Sequence, residues 1–445
     1  MDPPPELRRS LSLWQVTVSG VGIVIGAGIY VLIGSAAAEA GNGVWLSFLI
    51  AAALSALTGT SYAELAGMFP SAGAEFTFAG RAFGNFTGFV VGWLMIAANL
   101  IAAAAVSIGF ARYLRYFVDV DSRMAAIALL AGVTAVIAFG IQRSIWLSAV
   151  LVLVQIGGLL LVIAAGAPHF GGTSLIAGAT AGGVLSGAAL IFFAFIGFDE
   201  VVTLSEETRN PSATIPRALL ISLGICSLLY ALVALAAVSV VGASALAASD
   251  TPLALVLAHN WGARSGDIIA YVALASTANT TLLVMTAASR LTFRMATDAT
   301  LPRTLSVVGR RTAAPWVAAL AGCAIAACFA LISDIALVAS VTDFAVFAIF
   351  AVVNAAVIRL RFSHPDASRT FVSPGAFLGV PIVPLLGLLS VPVVAYHLDP
   401  NAWLIGGACI AAGAVFWLIR RALGQTPTGV RPQPQIGPRQ PPTTP

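Results

Sequence analysis

Twelve apolar runs, each long enough to cross a bilayer, leave this chain few ways to fold. They lie near residues 11–40, 44–66, 84–112, 124–142, 145–166, 180–208, 216–241, 267–297, 315–332, 335–358, 378–397 and 401–420. A helical crossing needs about 20 apolar residues. In hydrocarbon every main-chain N–H and C=O must be satisfied internally, so spanning segments are helices or closed barrels. Runs of this length suit helices. The chain is 59% hydrophobic and 9% charged, with mean hydropathy +0.97, where soluble domains carry about 25% charged residues. The expectation is an all-α integral membrane protein of about twelve transmembrane helices. Met1–Ser10 is Pro-rich and polar, and the run behind it is too long for the core of a secretory signal. Residues 1–10 are therefore read as a short cytoplasmic N-terminus.

Arginine sets the orientation, because the chain has no lysine. Alternating the twelve spans places only Arg112, Arg115, Arg123 and Arg264 on the side opposite the N-terminus, with every other arginine on the N-terminal side. Positive residues favour the cytoplasm, so both termini are expected there, in the plasma (inner) membrane of a bacterium. The net charge of +4 is this topology signal and implies no nucleic-acid partner. Cys226, Cys323, Cys328 and Cys409 all fall within spans without metal-type spacing, so no metal, disulfide or cofactor is expected. No HExxH, GxSxG or P-loop motif occurs, which argues against an embedded protease, a hydrolase, an ATP-driven pump, or any enzyme.

Two of the runs are interrupted. Gly22, Gly26 and Gly28 punctuate the first, and Phe192-Phe-Ala-Phe-Ile-Gly-Phe-Asp-Glu200 the sixth. Glycine weakens a helix. A broken helix at membrane depth is tolerated where its freed backbone groups line a cavity or hold a ligand, and paired breaks in two halves point to a transporter's binding site. Each break opens a block of five spans, residues 11–166 and 180–358. Five is odd, so the second block enters from the opposite side and the repeat is inverted. Residues 378–420 form two further helices, 425–445 read as a disordered cytoplasmic tail, and 250–262 as a short outer surface helix.

Four stretches carry a family resemblance: Gly22–Tyr30 with Ala36-Ala-Ala-Glu39; Tyr62-Ala-Glu-Leu65 through Phe69-Pro-Ser-Ala-Gly73 to Gly92-Trp93; Phe192–Asp199 with Glu206-Glu-Thr-Arg-Asn-Pro211 and Ile215-Pro-Arg217; and Ser289-Arg290 to Leu301-Pro302. On these the chain resembles the amino acid–polyamine–organocation superfamily, nearest its cationic-amino-acid-transporter-like bacterial permeases. The resemblance implies a leucine-transporter-type five-plus-five inverted repeat with helices 1 and 6 broken. It implies alternating access and an amino acid substrate. A polyamine or organic-amine carrier, or a non-transporting amino acid sensor on the same scaffold, are the competing readings. The oligomeric state is left open.

The helix restarting after Gly28 offers free N–H groups and a positive dipole end, which suit a carboxylate. The resemblance implies that the amides of Ala27, Gly28 and Ile29 hold the substrate carboxylate. Carbonyls of Phe193, Ala194 and Ile196, with Val24, would accept from the ammonium group. Phe193 and Phe198 are candidates for an aromatic gate or for plain packing. Asp199, Glu200 and Asp343 are costly at membrane depth. They attract a cationic substrate, carry a coupling proton, or sit neutral and hydrogen-bonded; Asp199 is the leading pathway residue, and Asn99 is placed along the same path.

The chain departs from similar proton-coupled permeases, which place a lysine in the fifth span where this one has Gln155. Those relatives often have an acid where this chain has Ala98. A glutamine cannot titrate, so the coupling-site candidates are Gln155, Ser276, Thr277 and Asp199, with Thr280 and Thr281 adding hydroxyls. Glu64, Glu206 and Arg290 head the candidates for an ionic gate at the cytoplasmic ends. The unscreened acids favour cationic amino acids as substrates.

Overall fold

A computed structural model describes residues 10–69, 74–139, 145–309, 312, 314–377 and 379–424; the side chains of residues 74, 145–149 and 206 are also outside the description. The expected disordered tail, 425–445, and most of the N-terminal segment lie outside the described residues. The helices are α1 (Leu13–Val24), α2 (Gly28–Ala40), α3 (Val44–Met68), α4 (Ala74–Phe83), α5 (Asn85–Arg115), α6 (Ser122–Ala138) and α7 (Ile145–Gly166). They continue with α8 (Ala181–Ile191), α9 (Pro211–Ala247), α10 (Pro252–Trp261), α11 (Ala263–Thr297), α12 (Trp316–Ala330), α13 (Ile335–Ser363), α14 (Ile382–Ala395) and α15 (Pro400–Ala422). Between α8 and α9 run two 3-10 segments, Phe192–Phe195 and Asp199–Glu207.

Eight helical segments among the described residues are long and apolar enough to cross a membrane, and α1, α6, α12 and α14 are shorter apolar helices. One of the eight, Gly28–Met68, joins α2 to α3. With α1–α2 and α8 plus its 3-10 continuation each taken as one broken span, twelve spans result. Outward-facing Leu153, Leu160, Leu404 and Leu418 present large apolar side chains that suit lipid.

The packing repeats when each helix of the first block is exchanged for its counterpart in the second. The counterparts α3 and α9 pack on one another, as do α5 and α11, and the two short helices α6 and α12. The pairing of α5 with α13 is matched by that of α11 with α7. A nearly all-helical, multi-span bundle with two broken members is the architecture expected above.

Several boundaries differ from expectation. The span placed at 378–397 begins at Ile382, because Ala376–Phe377 and Val380–Pro381 form a two-stranded antiparallel hairpin ahead of it. The span placed at 216–241 extends over 211–247, with Gly242 at φ 74° marking the end of regular helix close to residue 241. Proline at the first helical position suits α9 and α10, since its missing N–H costs nothing there. A short helix, α4, lies between the second and third spans where no element was anticipated.

Candidate substrate site

The two breaks cross. Ile25, Gly26 and Ala27 separate α1 from α2. The sixth span unwinds through Phe192–Phe195, an extended Ile196 and Gly197 at φ 118°, a conformation that favours glycine. A Cβ on Gly28 would stand 2.6 Å from the Ala194 Cα, and one on Gly197 3.3 Å from the Ile23 carbonyl oxygen. Each break therefore passes main chain to main chain at two places.

The donors after the first break are offset from the expected set. Ala27 N–H donates to Thr280 Oγ1 at 3.1 Å and is already engaged. Gly28 and Ile29 fall in the first turn of α2, whose opening N–H groups have no intrahelical acceptor, and none of the hydrogen bonds among the described residues satisfies them. The acceptors are corrected in the same way. The Val24 carbonyl receives Gly26 N–H at 2.7 Å and the Tyr230 hydroxyl at 2.8 Å, so both lone pairs are used. Phe193 O accepts Ile196 N–H at 3.3 Å. Ala194 and Ile196 keep carbonyls that accept no hydrogen bond among the described residues. Two free amides thus lie beside two free carbonyls, a polarity that matches a carboxylate and an ammonium on one carbon.

Aromatic rings close the space beside the second break. Phe198 meets Tyr62 at 5.7 Å and Phe350 at 5.4 Å between centroids, and Phe192 meets Phe347 at 4.7 Å. Phe198 is wholly buried in this cluster, whereas Phe193 forms none of the ring contacts among the described residues. Asp343 is 0% exposed, and neither of its carboxyl oxygens has a hydrogen-bond partner among the described residues. Asp199 accepts Gly197 N–H at 3.0 Å, and it and Glu200 are half-buried. Glu75 from α4, not singled out in the sequence, is 3% exposed and lies near Asp199, Glu200 and Tyr62. Its signal was an acid two residues beyond the Phe69–Gly73 stretch, at the start of a helix.

The candidate coupling residues divide. Gln155 is 1% exposed with Oε1 and Nε2 both unpartnered, while its main-chain oxygen accepts the Tyr30 hydroxyl at 2.9 Å. Ser276 is likewise buried with a free hydroxyl. Thr277 and Thr281 donate back to carbonyls of their own helix, so it is Thr280 that reaches the break. Asn99 donates to Met95 O one turn away, and no hydrogen bond among the described residues joins it to either break.

Glu64 is ion-paired, but not to Arg290. Glu64 accepts from Arg361 at 2.7 and 3.0 Å, from Ser373 N–H at 2.9 Å, and pairs with Arg369 at 3.3 Å. Arg290 is exposed and makes no ion pair among the described residues; Glu206's side chain lies outside the description. Among the described residues no group of three His, Cys, Asp or Glu is placed to hold a metal, and all four cysteines are free thiols.

The sequence profile described as "Amino acid permease" matches residues 11–415. The chain belongs to the amino acid permease family. Within the amino acid–polyamine–organocation superfamily, this permease is similar to an uncharacterised transporter of Mycobacterium tuberculosis, at 32% identity over 95% of this chain and 93% of that protein. It is 32% identical to a branched-chain amino acid permease of Bacillus subtilis, over 86% and 87% of the two chains. It is 30% identical to a vacuolar cationic amino acid transporter of Arabidopsis thaliana, over 82% of this permease and 65% of the relative. The permease is a multi-pass membrane transporter of amino acids, and its relatives are transporters rather than enzymes.

Proposed function

We propose that this permease is a plasma-membrane carrier that binds an amino acid at the crossed breaks and exposes it alternately to the two sides. The observation that carries the reading is the pairing of free amides at Gly28 and Ile29 with free carbonyls at Ala194 and Ile196. A zwitterionic backbone satisfies both sets, whereas a polyamine satisfies only the acceptors. The arginine distribution supports cytoplasmic termini, and the mycobacterial and bacillar relatives support a bacterial inner membrane. No cofactor is required for this cycle.

Cationic amino acids are the preferred class. Glu75, Asp199 and Glu200 gather beside the second break without a cation, since the ion pairs among the described residues lie at Glu64 and Asp250. At low local dielectric, a side-chain carboxylate placed beside such acids is repelled far more strongly than in water. In proteoliposomes loaded with unlabelled substrate, arginine, lysine or ornithine is expected to compete for uptake at least tenfold better than glutamate or aspartate. Glutamate as the best competitor would reject this class; binding of amino acids without flux would favour a sensor.

A further inference from the structure

We propose that Asp343 of α13 receives the positively charged end of a substrate side chain, and so selects cationic over neutral amino acids. The proposal deepens the amino acid carrier reading above and rests on it. Asp343 is 0% exposed, and both of its carboxyl oxygens lack a hydrogen-bond partner among the described residues. The ion pairs among those residues involve Glu64 and Asp250 instead. A buried carboxyl without a partner is costly, and acids kept at membrane depth usually face a partner or a substrate path. The arginines of its own helix do not serve it. Arg361 is committed to Glu64, and Arg359 lies over the Phe83 ring at 5.4 Å. Each stands about four to five turns further along α13.

Helical register aims this acid at the second break. Residues three and four apart share a helix face, so Asp343, Phe347 and Phe350 form one stripe of α13. The Phe347 and Phe350 rings lie 4.7 and 5.6 Å from that of Phe192, which seats the stripe on the unwound part of the sixth span. Phe344, the next residue, turns away to Trp403 of α15. Asp343 lies near the Phe193 main chain. Phe193 directly precedes Ala194, whose carbonyl is free and whose backbone Gly28 crosses. A substrate side chain that leaves the crossed breaks toward α13 therefore meets this carboxyl. Asp199 and Glu200 do not duplicate it. They follow Phe198, which meets Phe350 at 5.4 Å, about two turns along α13 from Asp343. A bound guanidinium or ammonium supplies the missing counter-charge in a charge-assisted pair. A neutral side chain leaves the carboxyl unpaired, and that difference is the selectivity.

Arginine and citrulline test this, since they match in length and in both backbone charges and differ in the charge of the side-chain head. Proteoliposomes are loaded with one solute unlabelled and supplied with the same solute labelled, and initial rates are compared at equal low concentration. Wild type is expected to take arginine at least tenfold faster than citrulline. In Asp343→Asn that ratio is expected to fall at least tenfold through slower arginine uptake, with citrulline still carried. A wild-type ratio in Asp343→Asn overturns the proposal and leaves the cationic class to the acids that follow Phe198. Equal loss of both solutes by a folded Asp343→Asn overturns it as well, because that marks a structural role. Wild type that takes citrulline as fast as arginine overturns it without any variant and leaves the carrier reading standing. Absence of flux for every amino acid would overturn the carrier reading itself and the proposal with it.

Discussion

Gly28→Val is expected to abolish amino acid uptake while leaving the protein inserted in the membrane. A Cβ at this position meets the Ala194 Cα at 2.6 Å, the Ala194 Cβ at 2.9 Å and the Ala194 nitrogen at 3.1 Å. Backbone cannot swing aside as the end of a flexible side chain can, so one methyl group already drives the two breaks apart. Valine adds two more and a stiff χ1. The free amides at Gly28 and Ile29 then no longer oppose the carbonyls at Ala194 and Ile196. A loss of at least about 100-fold in uptake is expected, equivalent to about 2.7 kcal/mol. Gly157→Ala is the matched control, because nothing lies within 4 Å of its added Cβ; it should transport normally. Uptake by Gly28→Val at the wild-type rate, with equal amounts in the membrane, would remove this glycine from the site.

The second large effect is on folding. Glu64→Ala leaves Arg361 and Arg369, each mostly buried, without their carboxylate. It also strands the Ser373 N–H that donates to Glu64. Removing one partner of a buried ion pair typically costs about 3–5 kcal/mol, because the remaining charge is uncompensated. That is a large share of the stability of an ordinary domain. The network ties α3 to the end of α13 and to the chain leading into the β-hairpin, and Thr370 extends it to Ser212 on α9. The yield of folded protein should therefore fall severalfold and its melting temperature in detergent should drop. Glu64→Gln, which keeps hydrogen-bonding capacity, should do less harm. A Glu64→Ala protein that melts with wild type would show the network to be dispensable.

What was legible in the sequence was whatever depends on local chemistry. Long apolar runs force helices in a bilayer, and glycines within such runs mark where helices break, so both breaks were placed within a few residues. The acidic Asp199 next to the second break was equally visible. Which backbone groups stay free was not, because that depends on side chains far along the chain. Thr280 engages Ala27 N–H across 253 positions, and Tyr230 occupies Val24 O across 206. Helical spacing placed four hydroxyls on α11 but could not tell that Thr277 turns back on its own helix while Thr280 faces the break. Glu64 was legible as an acid at an expected cytoplasmic end, yet its partners Arg361 and Arg369 come from another span and its following loop. Glu75 escaped notice because an acid between two spans reads as loop until α4 brings it near Asp199.

The central claim is that the crossed breaks recognise an amino acid backbone through both of its charged ends. Binding of arginine and of its decarboxylated amine, measured calorimetrically on the purified wild-type permease, tests it most directly, since the two ligands differ only in the carboxylate. The account predicts that the amine binds at least about 100-fold more weakly, a difference of about 2.7 kcal/mol that is within the range of charge-assisted hydrogen bonds to two amides. Equal affinity for the two ligands would contradict it, and would mean that the amides of Gly28 and Ile29 do not hold a carboxylate.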